Sequence, residues 1–157
     1  MQDDIPGVHV ESNLETPENL PAESPTNLLL LSSLVFITNV ISGIWMQHYI
    51  YAILFFLLTV SSLAVHSNNN IYTNIIDKVI LVTIGIYGAY VFYNKITVDE
   101  WITGVIVVMT CLTCIVFYFY GYAVKNYCFH NELCVAQMYH AIMHIVGSIG
   151  HHLAIFL

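Results

Sequence analysis

The sequence predicts an all-α integral membrane protein, a bundle of about five transmembrane helices with a disordered acidic amino-terminal tail. Three observations carry this. Hydrophobic residues fill 58% of the 157 positions and charged residues only 8%, against about 25% charged in an average soluble domain. Lys and Arg together number three. That is too few to cover a water-facing surface, and it leaves nucleic-acid binding without an electrostatic footprint. Beyond residue 26 the chain is five apolar runs separated by short polar breaks.

The tail, 1–26, carries Asp3, Asp4, Glu11, Glu15, Glu18 and Glu23 together with all four prolines. Such a segment cannot bury enough apolar surface to order itself. No basic stretch precedes an apolar core, so it does not read as a cleaved signal peptide. The membrane domain, 27–157, holds runs at 27–46, 50–66, 75–93, 101–123 and 135–157. Each is near the roughly 17–25 residues that cross a hydrocarbon core as a helix. In lipid a run must satisfy its own backbone, so helix is the expected state of each. Tyr49, Tyr51, Trp101 and Tyr127 sit near run ends, where interfacial aromatics belong. Lys78 and Lys125 flank the amino-terminal face and Lys95 the opposite one, which does not fix orientation. The tail lacks Lys and Arg, so an outside or lumenal amino terminus is expected in a multi-pass protein of an endomembrane or the plasma membrane.

Asp77 is the one carboxylate inside an expected span. An ionisable group there is a functional candidate by default, although it could also start a helix at the interface, paired with Lys78. Helix parity gives it company. The end of span 2, the start of span 3 and the start of span 5 lie on one membrane face. They bring Ser62 and His66, Asp77, and His140 and His144 to similar depth. Residues at i and i+4 share a helix face, so His140 and His144 can offer two nitrogens to one ion. Three His ligands with one open position make a catalytic zinc site, and zinc lowers the pKa of water to about 7. Asp77 is then placed to orient or deprotonate that water, and Ser62 to donate to a developing oxyanion. Nitrogens of His66, His140 and His144 should meet within about 4 Å.

The motifs "SLAVH", "IID" and "HAIMHIVGSIG" resemble those of the CREST superfamily. That group includes alkaline ceramidases, adiponectin and progestin receptors, haemolysin III-like proteins and post-GPI-attachment lipases. The short gap from His66 to Asp77 and the His-Ala-x-x-His-Ile pattern are most similar to the alkaline ceramidase branch. The resemblance implies zinc on His66, His140 and His144, Asp77 on the zinc water, Ser62 assisting, and hydrolysis of a lipid amide or ester such as ceramide or a phospholipid. Members usually have seven spans. Five keep the same parity but leave less wall around an acyl chain. The tail has no Trp and no counterpart of the acidic, Trp-containing calcium motif of ceramidases.

The leading expectation is therefore a zinc-dependent intramembrane lipid hydrolase. The alternative is a non-catalytic, zinc-stabilised membrane receptor, scaffold or fusion-type protein. A small channel lined by His151, His152 and Asp77 fits less well, because so few polar positions could face a pore. The expected partners are the bilayer, a lipid substrate or ligand, and further copies of the chain. Cys111 and Cys114, mid-span, read as packing residues. Cys128 and Cys134 would bridge only on an oxidising face, and His130 between them reads as solvated. His151 and His152 lie about 10 Å beyond His144 at 1.5 Å per residue, out of reach of the same ion. Gly147 and Gly150 beside them would let a neighbouring helix approach.

Overall fold

The computed structural model describes residues 26–68 and 70–157, so the expected disorder of the acidic tail concerns residues outside those described. Among the described residues the chain is helical without strands, and five helical stretches are long and apolar enough to cross a membrane.

The first span, expected as one helix over 27–46, is two. Helix α1 runs Thr26–Ser33 and α2 runs Phe36–Trp45. The break has a local cause. The hydroxyls of Ser32 and Ser33 both donate to the Leu29 carbonyl, at 3.0 and 2.8 Å. Such back-bonding competes with the helical ladder and bends it. The amides that follow reach back three residues: Leu34 to Leu31, Val35 to Ser32, Ile37 to Leu34 and Thr38 to Val35.

Span 2 is α3, Tyr49–Ser67, and span 3 is α4, Ile71–Lys95. Helix α4 starts four residues before the apolar run expected at 75, because Asn70 caps it, its side chain accepting from the Tyr72 amide at 3.0 Å. Span 4 is α5, Trp101–Ile115, continued by a π-helical turn over Val116–Tyr120 and a short α6, Gly121–Val124. Lys125 ends it in the left-handed conformation at φ 54°. Span 5 is α7, Leu133–Phe156, 24 residues and so about 36 Å long, enough to cross a bilayer.

Helix α7 is the common neighbour, packing on α1, α2, α4 and α5. Gly147 and Gly150 form its contact with α5, as their spacing suggested. A Cβ at Gly150 would stand 3.1 Å from the Thr110 Cβ, and one at Gly147 would meet Cys114 Sγ at 3.6 Å. The exterior is apolar, with Ile, Leu, Val and aromatic side chains exposed along every span. The interior holds an apolar cluster of Phe36, Tyr51, Phe55, Leu58, Ile84, Val91 and Ile155. Beside it are buried polar groups: Ser32, Ser33, Asn39, Thr59, Ser61, Ser62, Asp77, His144 and Ser148. Lipid reverses the soluble rule, so polar side chains gather where protein can satisfy them.

Candidate metal centre

Helices α3 and α7 bring His66, His140 and His144 together. One nitrogen from each lies within 4.8 Å of the others. The ring centroids are 5.2 Å apart for His66–His140, 5.6 Å for His66–His144 and 4.8 Å for His140–His144. The i, i+4 spacing sets the last pair and helix parity the other two. The separation is wider than the expected 4 Å. Tetrahedral nitrogens on bonds of about 2.0–2.1 Å stand about 3.3 Å apart, so an ion here requires the rings to close by more than an ångström through rotamer adjustment. Asp77 lies outside this cluster but lines the same cleft.

The hydroxyls around the histidines are held between α1 and α7. Ser32 Oγ stands 3.0 Å from the Leu29 carbonyl, to which it can donate, and 3.0 Å from His144 Nδ1. This bond engages Nδ1 and leaves Nε2 as the His144 nitrogen open to an ion, an arrangement of the kind that outer hydrogen bonds impose on metal-binding histidines. Phe36 packs against the same ring, centroids 5.0 Å apart.

Ser33 Oγ lies 2.8 Å from the Leu29 carbonyl and 2.8 Å from Ser62 Oγ. Ser62 is thus bonded to α1, and the oxyanion role expected for it requires that bond to break. Ser61, not Ser62, reaches Asp77: its hydroxyl is 2.9 Å from Asp77 Oδ1 and 3.1 Å from the Leu58 carbonyl. Asp77 is buried and its other oxygen faces Lys78 Nζ at 3.4 Å, so it is both an intramembrane carboxylate and the partner of Lys78. Ser61 was open from the sequence as the alternative to Ser62 if spacing is ignored; Ser32 and Ser33 escaped the sequence reading. Their one signal was the Ser-Ser pair inside an otherwise apolar "LLLLSSLVFI".

A cleft of about 260 Å3 opens onto His66, His140 and Asp77, walled by Val65, Asn74, Lys78, Tyr118, Cys128 and Phe129. Tyr118 comes from the π turn, a distortion frequent at functional sites. All four cysteines are free thiols. Burial pushes the Cys128 thiol up to about 11, so it is protonated at neutral pH and a poor competitor for a metal. His130 is occupied locally, its Nδ1 accepting from the Glu132 amide at 3.0 Å in front of α7.

The second histidine pair has its own partners. The Tyr51 hydroxyl hydrogen-bonds His151 Nδ1, and His151 fits because Gly88 faces it, where a Cβ would stand 2.7 Å from the ring. His152 Nδ1 is 2.9 Å from the Ser148 carbonyl one turn back. Asn39 donates to Ser148 Oγ at 2.5 Å. These groups join α2, α3 and α7 away from the three-histidine cluster. No family model matches the chain, and no curated protein or solved structure matches it either.

Proposed function

We propose that the chain is a zinc-dependent intramembrane hydrolase of a lipid amide or ester bond. The observation that carries the reading is the trio of His66, His140 and His144, of which His66 and His140 line a cleft together with Asp77. Three neutral imidazoles and no thiolate suit zinc with one position left open. The resemblance to the CREST superfamily implies the same ion and the same reaction class.

Zinc bound there supplies Lewis acidity and activates water at neutral pH. The chain's own residues do the rest. Ser32 engages His144 Nδ1 and so leaves Nε2 for the ion. Asp77, at the edge of the cleft, takes a proton from the attacking water and returns it to the leaving amine or alkoxide. Ser61 and Lys78 hold the two Asp77 oxygens, fixing the carboxylate's orientation. The apolar wall of Val65 and Phe129 seats the start of an acyl chain and excludes water.

One observation favours the non-catalytic reading: Ser62 is hydrogen-bonded to Ser33 instead of lining the cleft, as a purely structural hydroxyl would be. Purified protein incubated with acyl-labelled phospholipid and ceramide separates the two. Release of free fatty acid that stops on chelation and returns with added zinc supports the hydrolase. Full zinc occupancy without fatty-acid release from any acyl lipid supports the receptor or scaffold.

A further inference from the structure

Two of the chain's three basic residues stand at the cleft's membrane face, each held against an aromatic ring. Lys78 Nζ lies 5.3 Å from the Tyr118 ring centroid, and Lys125 Nζ 4.4 Å from that of Tyr122. The two tyrosines are four residues apart across the junction of the π turn and α6. The Phe129 ring touches both edge-on, at 5.3 Å from Tyr118 and 5.2 Å from Tyr122. Phe129 and Tyr118 also wall the cleft. So one aromatic trio joins the cleft to both ammonium groups. The Lys78 side chain is 35% exposed and Lys125 is exposed, so both remain open to a ligand. Among the described residues, Lys78 is the one basic side chain lining the cleft.

In a chain this poor in cations, such placement has a chemical meaning. A headgroup without a phosphate gains nothing from it, and in a zwitterionic one the attached cation offsets the phosphate charge. A phosphate at the same depth gains charge-assisted hydrogen bonds from ammonium donors and the attraction that basic groups at a membrane surface exert on anionic lipids. We propose that the cleft takes an anionic phospholipid, with Lys78 and Lys125 receiving the headgroup phosphate while the acyl linkage lies towards the histidines. This rests on the hydrolase reading for the fate of the lipid but not for its binding.

The test is lipid retention by the full-length protein. Protein in neutral detergent is exposed to an equimolar mixture of phosphatidic acid, phosphatidylcholine and ceramide, repurified, and its bound lipid quantified by mass spectrometry. At about fivefold per lysine near a membrane surface, phosphatidic acid should be enriched about 25-fold over the other two. Lys78→Gln or Lys125→Gln alone should reduce this to about fivefold, and the double variant to parity, with melting temperature reporting that each stays folded. Equal retention of the three lipids by the unaltered protein overturns the proposal, as does enrichment that survives in the double variant. Inorganic phosphate stabilising lipid-free protein as much as phosphatidic acid does would overturn the lipid assignment. Selective retention without turnover leaves this inference standing and removes the hydrolase. Turnover with no selectivity does the reverse.

Discussion

Ser32→Ala removes one hydroxyl and separates metal binding from general packing. The hydroxyl hydrogen-bonds His144 Nδ1 at 3.0 Å. Both partners are buried and no water can replace the bond easily, so the ring nitrogen is left unsatisfied. That costs about 1–3 kcal/mol of stability. Its effect on metal is more specific. Without Ser32 nothing holds the His144 ring through Nδ1, and loss of such an outer partner typically lowers affinity 10–100-fold. Ser33→Ala is the matched control. Ser33 makes an equally buried bond to Ser62 and shares the same Leu29 carbonyl, so it should lose similar stability without that effect on metal. Competition of purified protein against a zinc-chelating dye reads the affinity, and thermal unfolding in detergent reads the stability. If both variants keep wild-type zinc affinity, Ser32 does not orient a ligand. If both lose it equally, the serines act through the fold alone.

Other expectations follow from the same contacts. Asp77→Asn should retain zinc but lose fatty-acid release by at least about 100-fold, the typical contribution of a general base; turnover near wild type would remove Asp77 from the chemistry. Tyr51→Phe leaves His151 Nδ1 without its partner and should lower stability by about 1–3 kcal/mol with zinc content unchanged, as thermal unfolding and metal analysis can check. Gly150→Val forces a side chain against Thr110 and should part α5 from α7, costing about 1–3 kcal/mol or more; a melting temperature equal to wild type would mean the two helices are not held there.

The spans were legible because lipid imposes one simple rule, an apolar helix about 20 residues long. The convergence of His66, Asp77, His140 and His144 was legible for a related reason. Alternating helix direction fixes which ends share a face, with no knowledge of packing. What parity does not fix is rotation. Ser62 is one turn from His66 and so was expected at the reacting centre. Each residue advances about 100° around a helix, and the facing of α3 against α4 presents Ser61, not Ser62, to Asp77. Nor does parity report on α1, whose two serines reach His144 and Ser62. The π turn at Val116–Tyr120 was likewise hidden: residues 101–123 read as a continuous apolar run, and one extra residue in a helical turn leaves no mark on hydropathy.

The central claim is that His66, His140 and His144 hold a zinc ion, and metal analysis of the purified full-length chain addresses it directly. The account predicts about one zinc per chain, lost in His140→Ala together with part of the thermal stability. Metal-free wild-type protein that fails to take up zinc on titration, with a melting temperature indifferent to both zinc and His140→Ala, would contradict it.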